Sequence, residues 1–147
     1  MNIRITLGDW ATLQPIAQAI RYEVFVIEQN IPAALEWDEM DAHCVHAVAY
    51  DAHGQAIGTG RLLPDGHIGR MAVKKIARGS GTGGAILQAL MDAAQKRGDA
   101  MVMLNAQSRA EAFYVRHGFI REGAEFFEAG IPHIHMRREF SSIAGQS

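Results

Sequence analysis

Arg78-Gly79-Ser80-Gly81-Thr82-Gly83-Gly84 places four glycines in seven residues. An apolar, strand-like run, IGRMAVKKIA from Ile68, precedes it. After it come Ile86, Leu87, Leu90, Met91 and Ala94 at helical spacing, and Gly98 stands where a left-handed C-terminal cap belongs. A loop stripped of side chains can turn its backbone N–H groups toward an anion, and the dipole of the following helix adds attraction. Such a cradle suits a phosphate or pyrophosphate. Glycine costs stability unless something needs the bare backbone, so a loop with no ligand is the weaker account.

Three phosphate loops compete for these residues. Gly79-x-Gly81-x-x-Gly84 matches a dinucleotide fingerprint, but the place for its acidic partner holds Leu104 and Asn105. A nucleoside-triphosphate loop needs Gly-Lys-Ser/Thr, and no lysine follows these glycines. Arg78-x-x-Gly81-x-Gly83 with its preceding strand resembles the acetyl-CoA loop of GCN5-related N-acetyltransferases. A second motif, Gln107-x-x-Ala110-x-x-Phe113-Tyr114-x-x-x-Gly118-Phe119, resembles the segment of that family in which a helix packs along the cofactor. The family usually has asparagine where Gln107 stands. The likeness spans roughly Arg21 to Arg138 and is nearest the small ElaA-like branch.

The resemblance implies a mechanism. Two parallel strands, near Met71–Val73 and Leu104–Gln107, part to admit pantetheine, which pairs with the backbone of Met71 and Val73. The pyrophosphate rests on N–H groups of Arg78, Gly79, Ser80, Gly81, Thr82, Gly83 and Gly84. Asn105, Gln107, Ala110 and Phe113 border the cofactor. A backbone N–H near Met71 or Ala72 stabilises the oxyanion. Tyr114 matches the tyrosine that protonates the leaving thiolate; a packing role competes with this. The family's carboxylate base has no counterpart, since Gly69 and Arg70 occupy its neighbourhood. His67 shares a strand face with Met71 and Val73 and titrates in the useful range. A surface histidine, with an amine arriving already deprotonated, is the alternative.

Glu36, Asp38, Glu39 and Asp41 form a short acidic segment that in this family borders the acceptor pocket. Carboxylates there would hold a cationic amine; a solvated loop is the other reading, and Glu28 has the same two. Arg21-x-x-x-Phe25, Glu36-x-Asp38-x-x-Asp41 and Gly60-Arg61-Leu62 also resemble the N-terminal half of acyl-homoserine-lactone synthases, which share the architecture. This assigns Arg21, Glu36, Asp38 and Arg61 to the acceptor side, where Glu28 and His133 are also candidates, and makes a longer acyl donor the runner-up, with a non-catalytic CoA-binding sensor as the non-enzymatic alternative. His133 and His135 share a strand face but bring no third ligand at fixed spacing, so no metal is expected. Cys44 falls in a strand pattern as a small core residue.

The elements that must position these groups come from patterning. The reading is a strand over 2–7, a helix over 12–27 with Ile16, Ile20, Val24 and Ile27 buried, then strands over 44–50, 56–63 and 67–73. After the glycine loop and its helix come a strand over 100–104 and a helix opened by the capping box Ser108-Arg-Ala-Glu111, with Phe113 turned partly coreward. A hairpin over 119–140 closes the domain. This is α/β (α+β): a mixed sheet with one β-α-β crossover, a single domain over 1–140 and a frayed tail over 141–147. The 147 residues are 48% hydrophobic with net charge −2 and pI ≈ 6.4, which argues against nucleic-acid binding. With no membrane-length apolar run, no signal-peptide core and one cysteine, a cytoplasmic enzyme is expected. Its acceptor is a small-molecule or protein amine, and a homodimer is common in such families.

Overall fold

The computed structural model describes residues 2–36 and 38–140; the expected tail over 141–147 lies outside them. Strand β1 (Arg4–Gly8) leads to helix α1 (Trp10–Arg21), which Asp9 caps by accepting from the Thr12 N–H at 2.9 Å. The helix does not continue as α to Ile27. A π-helical segment, Tyr22–Glu28, follows, marked by the Gln29 N–H to Val24 C=O bond at 3.1 Å. Each π turn holds an extra residue. The buried stripe is therefore Leu13, Ala17, Ile20, Arg21, Val24 and Phe25, and Ile27 points outward at 63% exposure.

A single turn, α2 (Ala33–Glu36), and a 3₁₀ turn, Glu39–His43, precede the meander β2 (Val45–Tyr50), β3 (Ala56–Leu62) and β4 (Ile68–Val73). Together with β1 these form one antiparallel sheet in order β1-β2-β3-β4. After the glycine loop, α3 (Thr82–Lys96) packs across it, with Ile86, Leu87, Leu90, Met91 and Ala94 all at or below 1% exposure. The four large side chains among them contribute about 6–12 kcal/mol by burial. The helix can lie this close because β3 carries glycine: a Cβ on Gly60 would meet Met71 Sδ at 2.8 Å and both Ile86 and Leu90 at 3.0 Å.

Strand β5 (Met101–Gln107), a 3₁₀ turn (Ser108–Ala110), α4 (Glu111–Arg116) and the hairpin β6 (Ile120–Glu128) and β7 (Ile131–Glu139) complete the fold. They form a second sheet, order β5-β7-β6. Ser108 does not cap α4. Its hydroxyl donates to the Glu125 carboxylate at 2.7 Å, across to the hairpin. The β4–α3–β5 crossover is present, but the mixed sheet narrows to one parallel bridge, His67–Met103, at the start of β4. Beyond it β4 and β5 part.

The parting has a local cause in β4. Arg61 pairs with Gly69 but Thr59 with Ala72, so Arg70 and Met71 together face Gly60. Arg70 takes a left-handed conformation, φ 49°. This is a β-bulge, which bends its strand and re-aims its side chains.

Candidate active site

Where the two sheets part lies a cleft of about 800 Å³, lined by β4, the carboxyl end of β5, the π-helical segment and the first turn before α4. Main-chain groups on its β4 wall are set by the ladder. Lys74 N–H donates to Ile57 C=O at 2.9 Å, and Ala72 pairs with Thr59. By antiparallel alternation, the N–H and C=O of Met71 and Val73 face away from β3, into the cleft. Ala72, at 2% exposure, turns its side chain into the core.

At the cleft's end stands the glycine loop. Gly79 and Gly81 have φ of 81° and 88°, and a Cβ on either would meet nothing within 4 Å, so their outer face is open. Gly81 caps α3 without a side chain, which leaves the N–H groups of Thr82, Gly83 and Gly84 in the helix's first turn without helical acceptors. Ser80 and Thr82 do not offer their hydroxyls outward. Their oxygens bond each other at 2.8 Å, and Ser80 also donates to the Ala77 carbonyl. What these two residues present is backbone. Gly83 lies against Phe113, whose ring is 3.5 Å from where its Cβ would be.

Arg78 spans the cleft. Its Nη1 and Nη2 each donate to a Glu28 carboxylate oxygen at 2.6 Å, and its Nε donates to the Val73 carbonyl at 3.1 Å. The Arg78 hydrogen bond holds the Glu28 carboxyl below its ordinary value, and Glu28 in turn raises Arg78. Glu28 is thus partly solvated, with both its oxygens engaged by Arg78 in this state.

The acidic segment is divided: Glu36 and Asp38 line the cleft, Glu39 is exposed, and the carboxylates of Glu36, Asp38 and Asp41 are paired with arginines. Glu36 and Asp41 are each 3% exposed, and Arg21 is 1% exposed. Arg21 bonds Glu36 through Nε and Asp41 at 2.8 and 3.1 Å, stacked 5.2 Å over Trp10. Arg61 bridges Asp41 and Asp38 at 2.7–2.8 Å, and Arg70 reaches Asp38 at 3.1 Å. Three arginines meet three carboxylates, so the wall they build carries no net charge. Burial pushes the Glu36 carboxyl up against the pull of Arg21, while the Arg61 hydrogen bond holds Asp38 down at about 2. Glu36, Asp38, Arg61 and Arg70 line the cleft; Arg21 supports them from behind. Arg70 is a lining residue that sequence reasoning missed, because a left-handed arginine inside a strand leaves no mark in the alternation.

On the β5 side, Asn105 and Gln107 are committed to protein partners. His135 Nδ1 bonds Asn105 Oδ1 at 2.8 Å, and Gln107 donates to Gln29 Oε1 at 2.9 Å while accepting from Arg109. Ala110 and Tyr114 line the cleft. Tyr114 is the more buried of the ring pair, at 9% exposure; Phe113 stands edge-on to it, ring centroids 5.0 Å apart, half-buried against both the core and the loop. Burial pushes the Tyr114 hydroxyl up to about 12. His67 lies at the vertex, its Nδ1 2.9 Å from the Asp65 carboxylate. His133 donates from Nδ1 to the Ile131 carbonyl at 2.7 Å and stacks on Phe126. Among the described residues no three His, Cys, Asp or Glu side chains could hold a metal. Cys44 precedes β2 rather than lying within it, donates to the Met40 carbonyl, and is pushed up to about 11 by burial.

A four-stranded sheet, a crossover through a glycine-capped helix and a strand pair parted by a bulge define an acyltransferase of the acetyl-group class. The family profile described as "Acetyltransferase (GNAT) domain" matches residues 13–140, and the chain belongs to this family. A Bacillus subtilis (strain 168) protein described as an uncharacterized N-acetyltransferase, YjcF, is 42% identical over 124 residues, 82% of this chain and 88% of that one. The crystal structure of an acyl-CoA N-acyltransferase from Pseudomonas aeruginosa superposes with TM-score 0.82 at 33% identity, covering 93% and 99% of the two chains. Escherichia coli ElaA superposes with TM-score 0.82 at 26% identity, covering 94% and 100%. The protein is an acetyltransferase.

Proposed function

We propose that this chain transfers the acetyl group of acetyl-CoA to a primary amine of a small molecule or protein, by direct attack within a ternary complex. The observation that carries the reading is the β4 edge at Met71 and Val73, turned away from β3 and leading to a glycine loop whose following helix turn has N–H groups without helical acceptors. Backbone amides there suit the pantetheine arm, and the loop with the first turn of α3 suits the pyrophosphate. A neighbour of the same fold, a GNAT family acetyltransferase from Elizabethkingia anophelis at 18% identity and TM-score 0.69, was solved with acetyl-CoA bound.

Acetyl-CoA supplies an activated thioester; the residues of this chain do the rest. The main-chain N–H of Met71, on the cleft edge of β4, would stabilise the oxygen on which negative charge develops as the neutral amine attacks the carbonyl carbon. The new C–N bond forms, the C–S bond breaks, and the amine proton passes to His67 at the vertex or to water. Tyr114 donates a hydrogen bond to the departing sulfur. It does not surrender its proton outright: a phenol at about 12 facing a thiol near 8.5 makes full transfer uphill by roughly 5 kcal/mol. The neutral wall of paired arginines and carboxylates admits the acceptor without presenting a strong field.

Free-thiol release from acetyl-CoA across a panel of primary amines, with CoA binding measured by calorimetry, tests the reading. Amine-dependent release supports it. CoA binding with no turnover on any amine would leave a cofactor sensor, and no CoA binding would remove the assignment.

A further inference from the structure

Arg78 heads the loop proposed to hold the pyrophosphate, yet its guanidinium is turned away, across the cleft. It grips both oxygens of Glu28 at 2.6 Å and rests its Nε on the Val73 carbonyl at 3.1 Å. That carbonyl is on the open edge of β4, where an incoming pantetheine amide would pair. The side chain therefore lies in the slot the cofactor needs. The pair is only partly buried, with 41% and 33% of the two side chains exposed, so it is weak enough to exchange. Among the carboxylates lining the cleft, Glu36 and Asp38 are tied to Arg21, Arg61 and Arg70. Glu128 has no ion pair among the described residues and is available in either state. Glu28 is the one whose cation belongs to the cofactor loop.

We infer that the Glu28–Arg78 pair is a strap across the cofactor slot, which CoA opens by drawing Arg78 onto its pyrophosphate, freeing the Glu28 carboxylate to receive the acceptor's ammonium group. This rests on the acetyl-CoA reading above and adds to it an order of binding and an acceptor-recognition residue. A guanidinium prefers the doubly charged pyrophosphate to one exposed carboxylate, because it makes more charge-assisted hydrogen bonds there. An amine arriving before CoA meets a neutralised Glu28. An amine arriving after it meets a carboxylate at the mouth of the cleft. The acceptor class is a cationic amine with its charge near the reacting nitrogen.

The test uses the full-length chain, wild type and Glu28→Gln. Calorimetry should show CoA binding about two- to fivefold tighter to Glu28→Gln, since the strap no longer has to be broken. Losing a carboxylate near phosphates would also tighten CoA through simple charge. Neutral pantetheine, followed by NMR titration, separates the two: the strap requires that it too bind tighter to the variant. Carboxyl-¹³C titration of Glu28, assigned by its loss in the variant, should move from below the ordinary glutamate range into it when CoA saturates the protein. Wild-type affinities of Glu28→Gln for both ligands, tightening for CoA alone, or an unmoved Glu28 titration would overturn the strap while the acetyltransferase reading stood. Failure of the wild type to bind CoA would instead overturn that reading, and the strap with it.

Discussion

Replacing Tyr114 with phenylalanine removes one hydroxyl and little else. The ring keeps its edge contacts with Phe113 and Phe119, at 5.0 and 5.8 Å between centroids. The structure sets the expected size of the effect. Were the hydroxyl a true general acid, its loss would cost on the order of 10²–10⁴-fold. With its pKa pushed up to about 12, its role in the proposed mechanism is that of a hydrogen-bond donor to a charged sulfur, worth about 1.5–3 kcal/mol. That converts to a loss of about 10- to 150-fold in the chemical step. The assay is single-turnover thiol release under saturating acetyl-CoA, which keeps product release out of the measurement. CoA affinity should stay within about twofold, and the thermal midpoint should not fall, since no packing is lost. The wild-type rate should show no descending limb from Tyr114 below about pH 11, because the phenol stays protonated up to about 12. A Tyr114→Phe variant with the full single-turnover rate would refute the reasoning and return the residue to packing. A descending limb near neutral pH that vanishes in the variant would refute the donor assignment in the opposite direction.

Three further outcomes are expected from the same geometry. Gly81→Asp should bind CoA at least about tenfold more weakly than Gly81→Asn by calorimetry; both residues tolerate the left-handed φ of 88°, and only the first sets a carboxylate against phosphate. Equal affinities would dissociate the loop from the anion. Arg21→Met should cost about 3 kcal/mol in denaturant unfolding, because it leaves Glu36, 3% exposed, with only a 3.8 Å contact to Arg70 and takes one of the two guanidinium partners of Asp41; a loss below about 1 kcal/mol would show that the network contributes nothing net. Asp38 is lowered from 3.8 to about 2, so its contribution is complete above pH 3.8 and fades as pH falls toward 2. Comparing wild type with Asp38→Asn should reveal about 1 kcal/mol of acid sensitivity in that window, discounted for the partial exposure of the site, and parallel stability curves would contradict it.

Legibility in the sequence tracked the range of the interactions involved. The glycine loop and α3 were readable because their signals are local: the glycines sit together, and all five residues of the α3 stripe are buried. The closing hairpin and the Gly98 cap were readable for the same reason, with Gly98 at φ 98°. Ser108 misled because its hydroxyl found Glu125, seventeen residues on, in place of its own helix. That same segment begins as a 3₁₀ turn, yet Ala110 and Tyr114 still share the cleft face, and Phe113 packs half-buried against the core. The acidic segment was seen but its partners were not. Arg21 reaches fifteen residues to Glu36 and twenty to Asp41, and no local pattern records such a pairing. The bulge at Arg70 is equally silent, because its cause is the two-to-one register with Gly60 on a neighbouring strand.

The π-helical segment has a consequence for how such a pocket can be retuned by changes in chain length. A π turn is in effect an α-helix that has absorbed an additional residue. Losing one residue between Tyr22 and Glu28 would restore α winding and turn the remainder of that segment by about 100° around the axis. Position 28 would then leave the cleft, and a neighbour such as Ile27, now outward at 63% exposure, would swing toward it. Insertions and deletions here act as a rotary dial. They exchange which side chain addresses the glycine loop, while α1 before it and the sheet after it stay put. A relative differing by a single residue in this stretch would therefore differ in the lining of this cleft before it differed in fold.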